Sequence, residues 1–306
     1  MKKVFRVGTR GSKLALRQTE WVLSRLKEYF PEVHFETVIL KTKGDKIQDV
    51  PLARIGGKGL FVKEIEEALL RRDIDFAVHS LKDVPSELPE GLYLAAFPPR
   101  EDPRDTLVSR VDGGLADLPH GARVGTSSLR RAAQLRHRRP DLEILPLRGN
   151  VDTRLRKLFE GQYEAILLAE AGLRRLGVSV ERTPLPVEEF LPAVGQGILA
   201  VEAREGDKDL AGLLAPLNHE ETSLCARAER AFLRRLEGGC QVPLAAHARL
   251  RNGLLEIWGF IADPEGRRFY RAVREGDPRK AETLGRTLAE DLLSQGGEQI
   301  LAELLS

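Results

Sequence analysis

The first two thirds of the chain alternate short apolar runs with segments of helical pattern. The apolar runs predict strands at residues 4–9, 34–40, 74–80, 122–126, 142–147 and 164–169. The segments between them predict helices at about 12–29 and 59–72, one that ends near Arg138 and one that begins near Asn150. Such alternation is typical of parallel sheets with crossover helices. We therefore expect two α/β units, joined by proline-rich stretches near residues 97–105 and 184–197.

The last third has a different pattern. Residues 221–239 predict a long helix that ends at Gly238 and Gly239. Three strand-like runs follow at 243–250, 254–261 and 267–273, separated by the turn sequences RNG and DPEG. One or two helices close the chain. We expect a smaller α+β unit, with a three-stranded sheet and helices on one face.

Residues 41–59, KTKGDKIQDVPLARIGGKG, follow neither structural period. The segment is polar and rich in glycine. A loop of this length inside a compact domain is usually functional or disordered. We expect a lid over a binding site, with a disordered connection as the alternative.

Composition narrows the class of protein. The chain has 306 residues, of which 42% are hydrophobic and 31% charged, as in a soluble globular protein of two or three domains. No apolar run approaches the roughly 20 residues that span a bilayer, and the basic N-terminus lacks the apolar stretch of a signal peptide. Two cysteines are too few for a disulfide framework or a common zinc site. We expect a cytoplasmic protein without a metal.

Positive charge is concentrated in one region of the chain. The net charge is only +2, yet residues 123–175 contain twelve Lys or Arg residues against six Asp or Glu residues. Such an excess indicates either an anion-binding site or a solvated basic face.

Three strand-to-helix junctions favour the anion site. The sequences GTRGSKLA (8–15), GTSSLRRAA (125–133) and RGNVDTRL (148–155) each combine a small residue, a Ser, Thr or Asn that can cap a helix, and a basic residue. First-turn amides and the helix dipole favour anions, and arginine binds carboxylate or phosphate in a bidentate manner. The junctions predict a ligand with several anionic groups, and they leave phosphate and carboxylate open. No Walker-type motif indicates a nucleoside triphosphate.

The segment AVHSLKDVPSELP (77–89) places polar side chains after a buried strand, where open α/β sheets bind ligands. Asp83 is either a turn former or a directed carboxylate. Pro85 restricts the backbone of Val84 and so favours a defined turn. No Ser, His and acid triplet can be assigned from spacing.

The two cysteines have different surroundings. Cys225 lies within the long helix and is interpreted as a small buried hydrophobe. Cys240 follows two glycines in EGGCQVPLAAH, where an exposed turn would leave its thiol accessible. These residues alone leave four roles open for Cys240: a structural filler, a nucleophile, a metal ligand or a covalent anchor.

Ten segments, in order, resemble the hydroxymethylbilane synthase family, also called porphobilinogen deaminases. They are RVGTRGSKLALRQ, LKTKGDKI, GGKGLFVKEIEEAL, DFAVHSLKDVP, REDPRDTLVS, VGTSSLRRAAQL, LRGNVDTRLRKL, AILLAEAGLRRLG, LPAVGQGILAVEAR and EGGCQVPLAAHA. They cover most of residues 4–250. The resemblance implies head-to-tail condensation of four porphobilinogen molecules with release of ammonia, followed by hydrolysis to the linear tetrapyrrole.

The resemblance also implies roles for individual residues. Asp83 is the expected catalytic carboxylate, and Cys240 the expected attachment site of a covalent dipyrromethane cofactor. Lys58 belongs to the lid. The other expected cofactor-binding residues are Lys82, Asp83, Ser128, Arg130, Arg131, Arg148 and Arg154. The expected substrate-binding residues are Arg10, Ser12, Arg148, Arg154 and Arg175.

The implied architecture has two α/β domains like type II periplasmic binding proteins and a smaller α+β domain with the cofactor cysteine. We expect the first domain at residues 1–98 and 197–216, the second at 99–196 and the third at 217–306, in a monomer. The alternatives are a non-catalytic binding protein for a small anion, which assigns no role to Cys240, and a nucleic-acid binder. The helix at 130–139 lacks the interleaved aromatic residues that stack on bases. We therefore expect a small-molecule substrate, with no nucleic-acid or membrane partner.

Overall fold

A computed structural model describes residues 4–46, 59, 60, 62–236 and 242–305. Most of the predicted lid, with Lys58, lies outside these residues, as do Cys240 and the predicted glycine end of the long helix. The expectations for them stay predictions.

The described chain contains thirteen strands and ten helices of α type. The strands are β1 Val4–Arg10, β2 His34–Leu40, β3 Phe76–Ser80, β4 Leu92–Ala96, β5 Asp105–Ser109, β6 Arg123–Gly125, β7 Glu143–Leu145, β8 Ala165–Ala169, β9 Thr183–Pro184, β10 Leu199–Arg204, β11 Leu244–Arg251, β12 Leu254–Ala262 and β13 Phe269–Gly276. The helices are α1 Lys13–Tyr29, α2 Lys43–Lys46, α3 Lys63–Leu70, α4 Leu129–Arg138, α5 Val151–Phe159, α6 Glu170–Leu176, α7 Lys208–Leu214, α8 Glu220–Arg235, α9 Ala281–Leu292 and α10 Glu298–Leu305.

The first and second sheets have equivalent topologies. The first sheet has the order β2-β1-β3-β10-β4, and the second has the order β7-β6-β8-β5-β9. In each sheet the first three strands are parallel, and an antiparallel strand separates them from the fifth. This confirms the predicted α/β class with two units of similar style.

The antiparallel strand of each sheet comes from a distant part of the chain. Strand β5 enters the second sheet directly after β4 of the first sheet, and β10 returns to the first sheet after β9. The chain therefore passes between the sheets twice, at the two proline-rich stretches noted in the sequence.

Amphipathic helices cover the sheets. In α1 the buried residues Gln18, Val22 and Leu26 recur every fourth position, so they lie on one helical face. That face packs on Phe5 and Val7 of β1. The loop after β1 is thereby held close to the carboxyl edge of the first sheet.

The third sheet is antiparallel and has the order β11-β12-β13. Helices α8 and α9 pack on one face of it, around Phe232 and Leu288. A π-helical turn at Leu293–Gly297 joins α9 to α10, and Gly296 adopts a φ of 123° there. The predicted three-stranded sheet with helices on one face is confirmed, and two helices follow it where one or two were expected.

Every predicted strand is present within a few residues, but β4, β5, β9 and β10 are absent from the predictions. No helix in the described ranges is long and apolar enough to cross a membrane.

Candidate functional site

The three predicted junctions are capped helix N-termini. The Ser12 hydroxyl accepts a hydrogen bond from the backbone N–H of Ala15 at 3.2 Å. Ser128 accepts one from the backbone of Arg131 at 3.4 Å, and the Asn150 side chain accepts one from Thr153 at 2.9 Å. The capping prediction is confirmed, so these side chains orient the loops that follow β1, β6 and β7.

The predicted turn at Asp83 is a 3₁₀ turn over Leu81–Asp83. Leu81 and Val84 are buried, whereas Lys82 and Asp83 are exposed. The backbone N–H of Leu81 donates to the carbonyl of Ile198 at 2.9 Å, which ties the turn to the returning chain. Because positions three apart share one side of a 3₁₀ turn, burial of Leu81 and Val84 directs the two charged side chains outward.

Asp83 lines a small pocket at the carboxyl edge of the first sheet. Arg10 and Ser12 line the same pocket, together with Gln18 and Ser80. The Gln18 amide donates to the Ser80 hydroxyl at 2.9 Å, and both belong to the pocket wall. The structure thus brings three predicted site residues together. Gln18 was not predicted, since in the sequence it is one polar residue on an amphipathic helix.

Arg130 and Arg131 are buried around a carboxylate, Asp105. Arg130 Nη1 lies 2.5 Å from Asp105 Oδ2, and Arg131 Nη2 lies 2.7 Å from Asp105 Oδ1. Each arginine also donates to a backbone carbonyl, of Leu191 and Leu167 respectively. One carboxylate neutralises only one of the two guanidinium charges, so this cluster keeps an excess positive charge.

Asp105 was not predicted as a site residue. Its side chain is fully buried, and Gln196 Nε2 also donates to it at 3.0 Å. Burial alone would raise the pKa of Asp105, but the two guanidinium groups hold that pKa well below its usual range. The signal that could have identified it is a charged residue at the start of the otherwise apolar run DTLV.

Lys82 connects the two sheets electrostatically. Loss of hydration lowers the pKa of Lys82 to about 8; Asp83 opposes this shift, and Arg131 adds to it. The charges of both units act on one ammonium group.

Arg148 and Arg154 extend the positive region. Burial, and then the charges of Arg131 and Arg148, lower the pKa of Arg154 to about 10. Arg154 Nε donates to the carbonyl of Gly149 at 2.7 Å. Arg148 Nη1 is buried and has no hydrogen-bond partner within the described chain. A buried guanidinium nitrogen without a partner is costly, so it favours an anionic acceptor.

Arg174 and Arg175 differ in their partners. Arg174 is engaged by three carboxylates, of Glu170, Asp102 and Glu101. Arg175 donates to the carbonyl of Gly197 at 2.7 Å, and among the described residues it forms no ion pair. Burial lowers the pKa of Arg175 to about 10. This contrast favours Arg175 as the arginine that can bind an external carboxylate.

An exposed ion pair also joins the two units. Lys13 Nζ lies 2.6 Å from Asp152 Oδ2, which places the N-terminus of α1 beside that of α5. The junctions after β1 and β7 therefore face each other, and the candidate site lies where the two sheets meet at their carboxyl edges.

The buried interpretation of Cys225 is confirmed. Its side chain is 4% exposed, and burial raises the pKa of its thiol to about 12. Within the described ranges there is no group of three His, Cys, Asp or Glu side chains that could hold a metal ion.

The arrangement suits one kind of chemistry. Arginines and capped helix N-termini can bind several carboxylates. Asp83 is the carboxylate among the described residues that line the pocket, and it is available to interact with a cation or a polarised N–H group.

Two family models match the chain. The model of the porphobilinogen deaminase, dipyromethane cofactor binding domain, matches residues 5–212. The model of the porphobilinogen deaminase, C-terminal domain, matches residues 223–294.

Individual relatives match over nearly their whole length. The porphobilinogen deaminase of Syntrophobacter fumaroxidans is 53% identical over 303 residues, which cover 99% of this chain and 98% of that protein. The one of Syntrophotalea carbinolica is 55% identical over 301 residues, covering 98% and 95%. Among solved structures, an ancestral cationic amino acid solute binding protein is 16% identical with a TM-score of 0.46, covering 70% of this chain and 88% of that one.

Proposed function

The chain belongs to the porphobilinogen deaminase family, and on that premise we propose that it is a transferase, a hydroxymethylbilane synthase. It condenses four porphobilinogen molecules head to tail onto a dipyrromethane primer, releases ammonia at each step, and hydrolyses the product to hydroxymethylbilane. The observation that carries the proposal is the position of Asp83, an exposed carboxylate in a pocket shared with Arg10 and Ser12.

The substrate explains the excess of positive charge. Each porphobilinogen carries an acetate and a propionate, so the growing chain is a polyanion. The charges of Arg131 and Arg148 contribute to the lowered pKa of Arg154, and bound carboxylates would relieve that repulsion. We assign the substrate carboxylates to Arg10, Ser12, Arg148, Arg154 and Arg175.

The same residues fit a dipyrromethane cofactor, which also carries carboxylates. The buried Arg148 Nη1, which has no partner within the described residues, is the best structural support. Lys82, Asp83, Ser128, Arg130, Arg131 and Arg154 complete the proposed cofactor-binding set. The bound cofactor supplies a free pyrrole carbon as nucleophile, and we propose Cys240 as its point of attachment.

Asp83 is the proposed catalytic residue. Departure of ammonia leaves positive charge on the substrate pyrrole and its methylene group. A carboxylate held beside the pyrrole nitrogen accepts its N–H hydrogen bond, stabilises that charge and can take up a proton. The buried side chains of Leu81 and Val84 anchor the 3₁₀ turn that positions Asp83. These apolar anchors leave the charge of the Asp83 carboxylate available to the substrate.

Ammonia release from porphobilinogen tests the activity and the role of Asp83. Asp83→Asn keeps the shape and removes the charge, so we expect a large loss of turnover with folding retained. The matched control is Asp112→Asn, an exposed loop residue outside the site, which should leave turnover unchanged. Wild-type turnover in D83N would refute the assignment. Substrate binding without ammonia release by the wild type would favour a binding protein.

Mass spectrometry under denaturing conditions tests the attachment site. We expect purified protein to carry an adduct of two pyrrole units that is absent from Cys240→Ser. Cys225→Ala should keep the adduct because that thiol is buried. An unmodified mass for active wild-type enzyme would contradict the proposal.

We further propose the domains 1–98 with 197–216, 99–196 and 217–306, in a cytoplasmic monomer. The membership of β10 in the first sheet and of β5 in the second supports the two crossings. Light scattering after size exclusion should give a mass near 34.1 kDa, and a mass of twice that value would refute the monomer.

A further inference from the structure

A second cavity, of about 380 Å³, lies away from the candidate site. It lies between the C-terminal end of α4, the segment before Leu191, and β13, an edge strand of the third sheet. Its volume lies in the range of small-molecule sites, which often occur where domains meet. Helix α4 has ten residues, so Ser128 and this cavity lie about 15 Å apart at opposite ends of one helix.

One wall of the cavity is a stack of rings. Phe269 stacks on Phe260 with ring centroids 4.6 Å apart, and His137 stacks on Phe269 at 4.3 Å. The two interplanar angles are 18° and 14°, so the three rings are nearly parallel. Phe260 is fully buried and His137 is exposed, which makes the imidazole the open end of the stack. A further planar ring could extend it with favourable stacking.

Two arginines flank the stack. The Arg271 guanidinium lies 5.1 Å from the ring centre of Trp258, and within the described chain it has no carboxylate at ion-pair distance. Arg138 Nη1 lies 3.7 Å from the carboxylate of Glu189, an exposed residue that also lines the cavity. Burial, and then repulsion by the charge of Arg138, lower the pKa of Arg271, and the charge of Glu188 opposes this shift. A carboxylate between them would remove this repulsion.

We propose that this cavity is a second binding site, specific for a small planar aromatic carboxylate. The ring stacks on His137, and the carboxylate binds between Arg138 and Arg271. The side-chain amide of Gln134 donates a hydrogen bond to the backbone carbonyl of Leu191 and accepts one from its N–H group. This buried residue therefore serves as part of the cavity wall. An occupant contacts α4 and the third sheet together, and it therefore holds these two parts of the molecule in one arrangement.

Fluorescence of Trp258 tests the proposal. The chain has two tryptophans, so Trp21→Phe leaves Trp258, which Arg271 covers, as the only reporter. Titration with 3-phenylpropionate should give a saturable change. Arg138→Gln with Arg271→Gln should weaken binding at least about tenfold. The non-planar analogue 3-cyclohexylpropionate should bind more weakly to the unsubstituted cavity.

A matched control separates this cavity from the candidate site. Arg148→Gln with Arg154→Gln removes two positive charges there and should leave the Trp258 titration unchanged. Absence of a saturable change, or equal affinity in the R138Q/R271Q protein, would overturn the proposed site. Equal affinity for the cyclohexyl analogue would overturn the stacking. Ammonia release by R138Q/R271Q should persist, so failure here is distinguishable from failure of the proposed function.

Discussion

The buried carboxylate of Asp105 provides the sharpest test of how the positive site is built. Arg130 binds Asp105 through both Nη atoms, at 2.5 and 3.2 Å, and Arg131 binds it through Nε and Nη2, at 3.0 and 2.7 Å. The substitution Asp105→Asn keeps the size of the side chain and removes its charge. Two buried guanidinium groups then remain without a counter-charge.

The expected cost follows from burial. Breaking a buried ion pair by removing one partner typically costs about 3–5 kcal/mol, because an uncompensated charge stays buried. The folded-state pKa of Asp105 is depressed, so its stabilisation is present above its usual pKa and is lost only as pH falls through the lower folded value. D105N should therefore destabilise the protein equally at pH 6 and pH 9.

Urea unfolding monitored by circular dichroism measures this loss. Asp291→Asn is the control, since Asp291 accepts two hydrogen bonds from Arg274, from Nε and Nη2, at the surface. We expect its midpoint to move by less than half as much as that of D105N, because exposed pairs are screened by water. A D105N midpoint no lower than that of D291N would refute the reasoning.

Three further predictions concern charge and packing. Because the pKa of Lys82 is about 8, kcat/KM for ammonia release should fall above that pH, and Lys82→Arg should move the decline upward. Burial raises the pKa of Glu66 to about 7, which destabilises the fold as pH rises from 4.5 through 7. Glu66→Gln should therefore stabilise by about 1–2 kcal/mol at pH 8 and not at pH 4, by urea midpoints. A Cβ on Gly285 would overlap the carbonyl oxygen of Ala228, so Gly285→Ala should lower the melting temperature. Gly212→Ala should leave the melting temperature unchanged, because a Cβ at that position would lie in open space.

Local features of the fold and site follow from short stretches of sequence. The caps at Ser12, Ser128 and Asn150 depend on residues only three positions away. The outward direction of Asp83 depends on two buried neighbours and a proline. Strand β8 is the continuous apolar run AILLA, and strands β1 and β3 begin with the largely apolar runs VFRV and FAV, so all three could be predicted without knowledge of their partners.

Other elements depend on residues that are distant in the chain. Strand β5 begins with a charged residue and would be unstable in a sheet interior alone. Arg130 and Arg131, some 25 positions later, supply the counter-charge that allows its burial. Strand β10 likewise pairs with β3 and β4, more than one hundred residues earlier in the chain.

The sequence by itself determined the family, the α/β class and the positions of the basic junctions, because short motifs encode them, and the catalytic role of Asp83 stays a prediction. Only the tertiary structure decided which charges are neutralised. Within the described residues, it pairs Arg174 with three carboxylates, leaves Arg175 without an ion pair, and buries Arg148 Nη1 without a hydrogen-bond partner. Electrostatic energy depends on distance and burial, and both arise only when separate segments of the chain pack together.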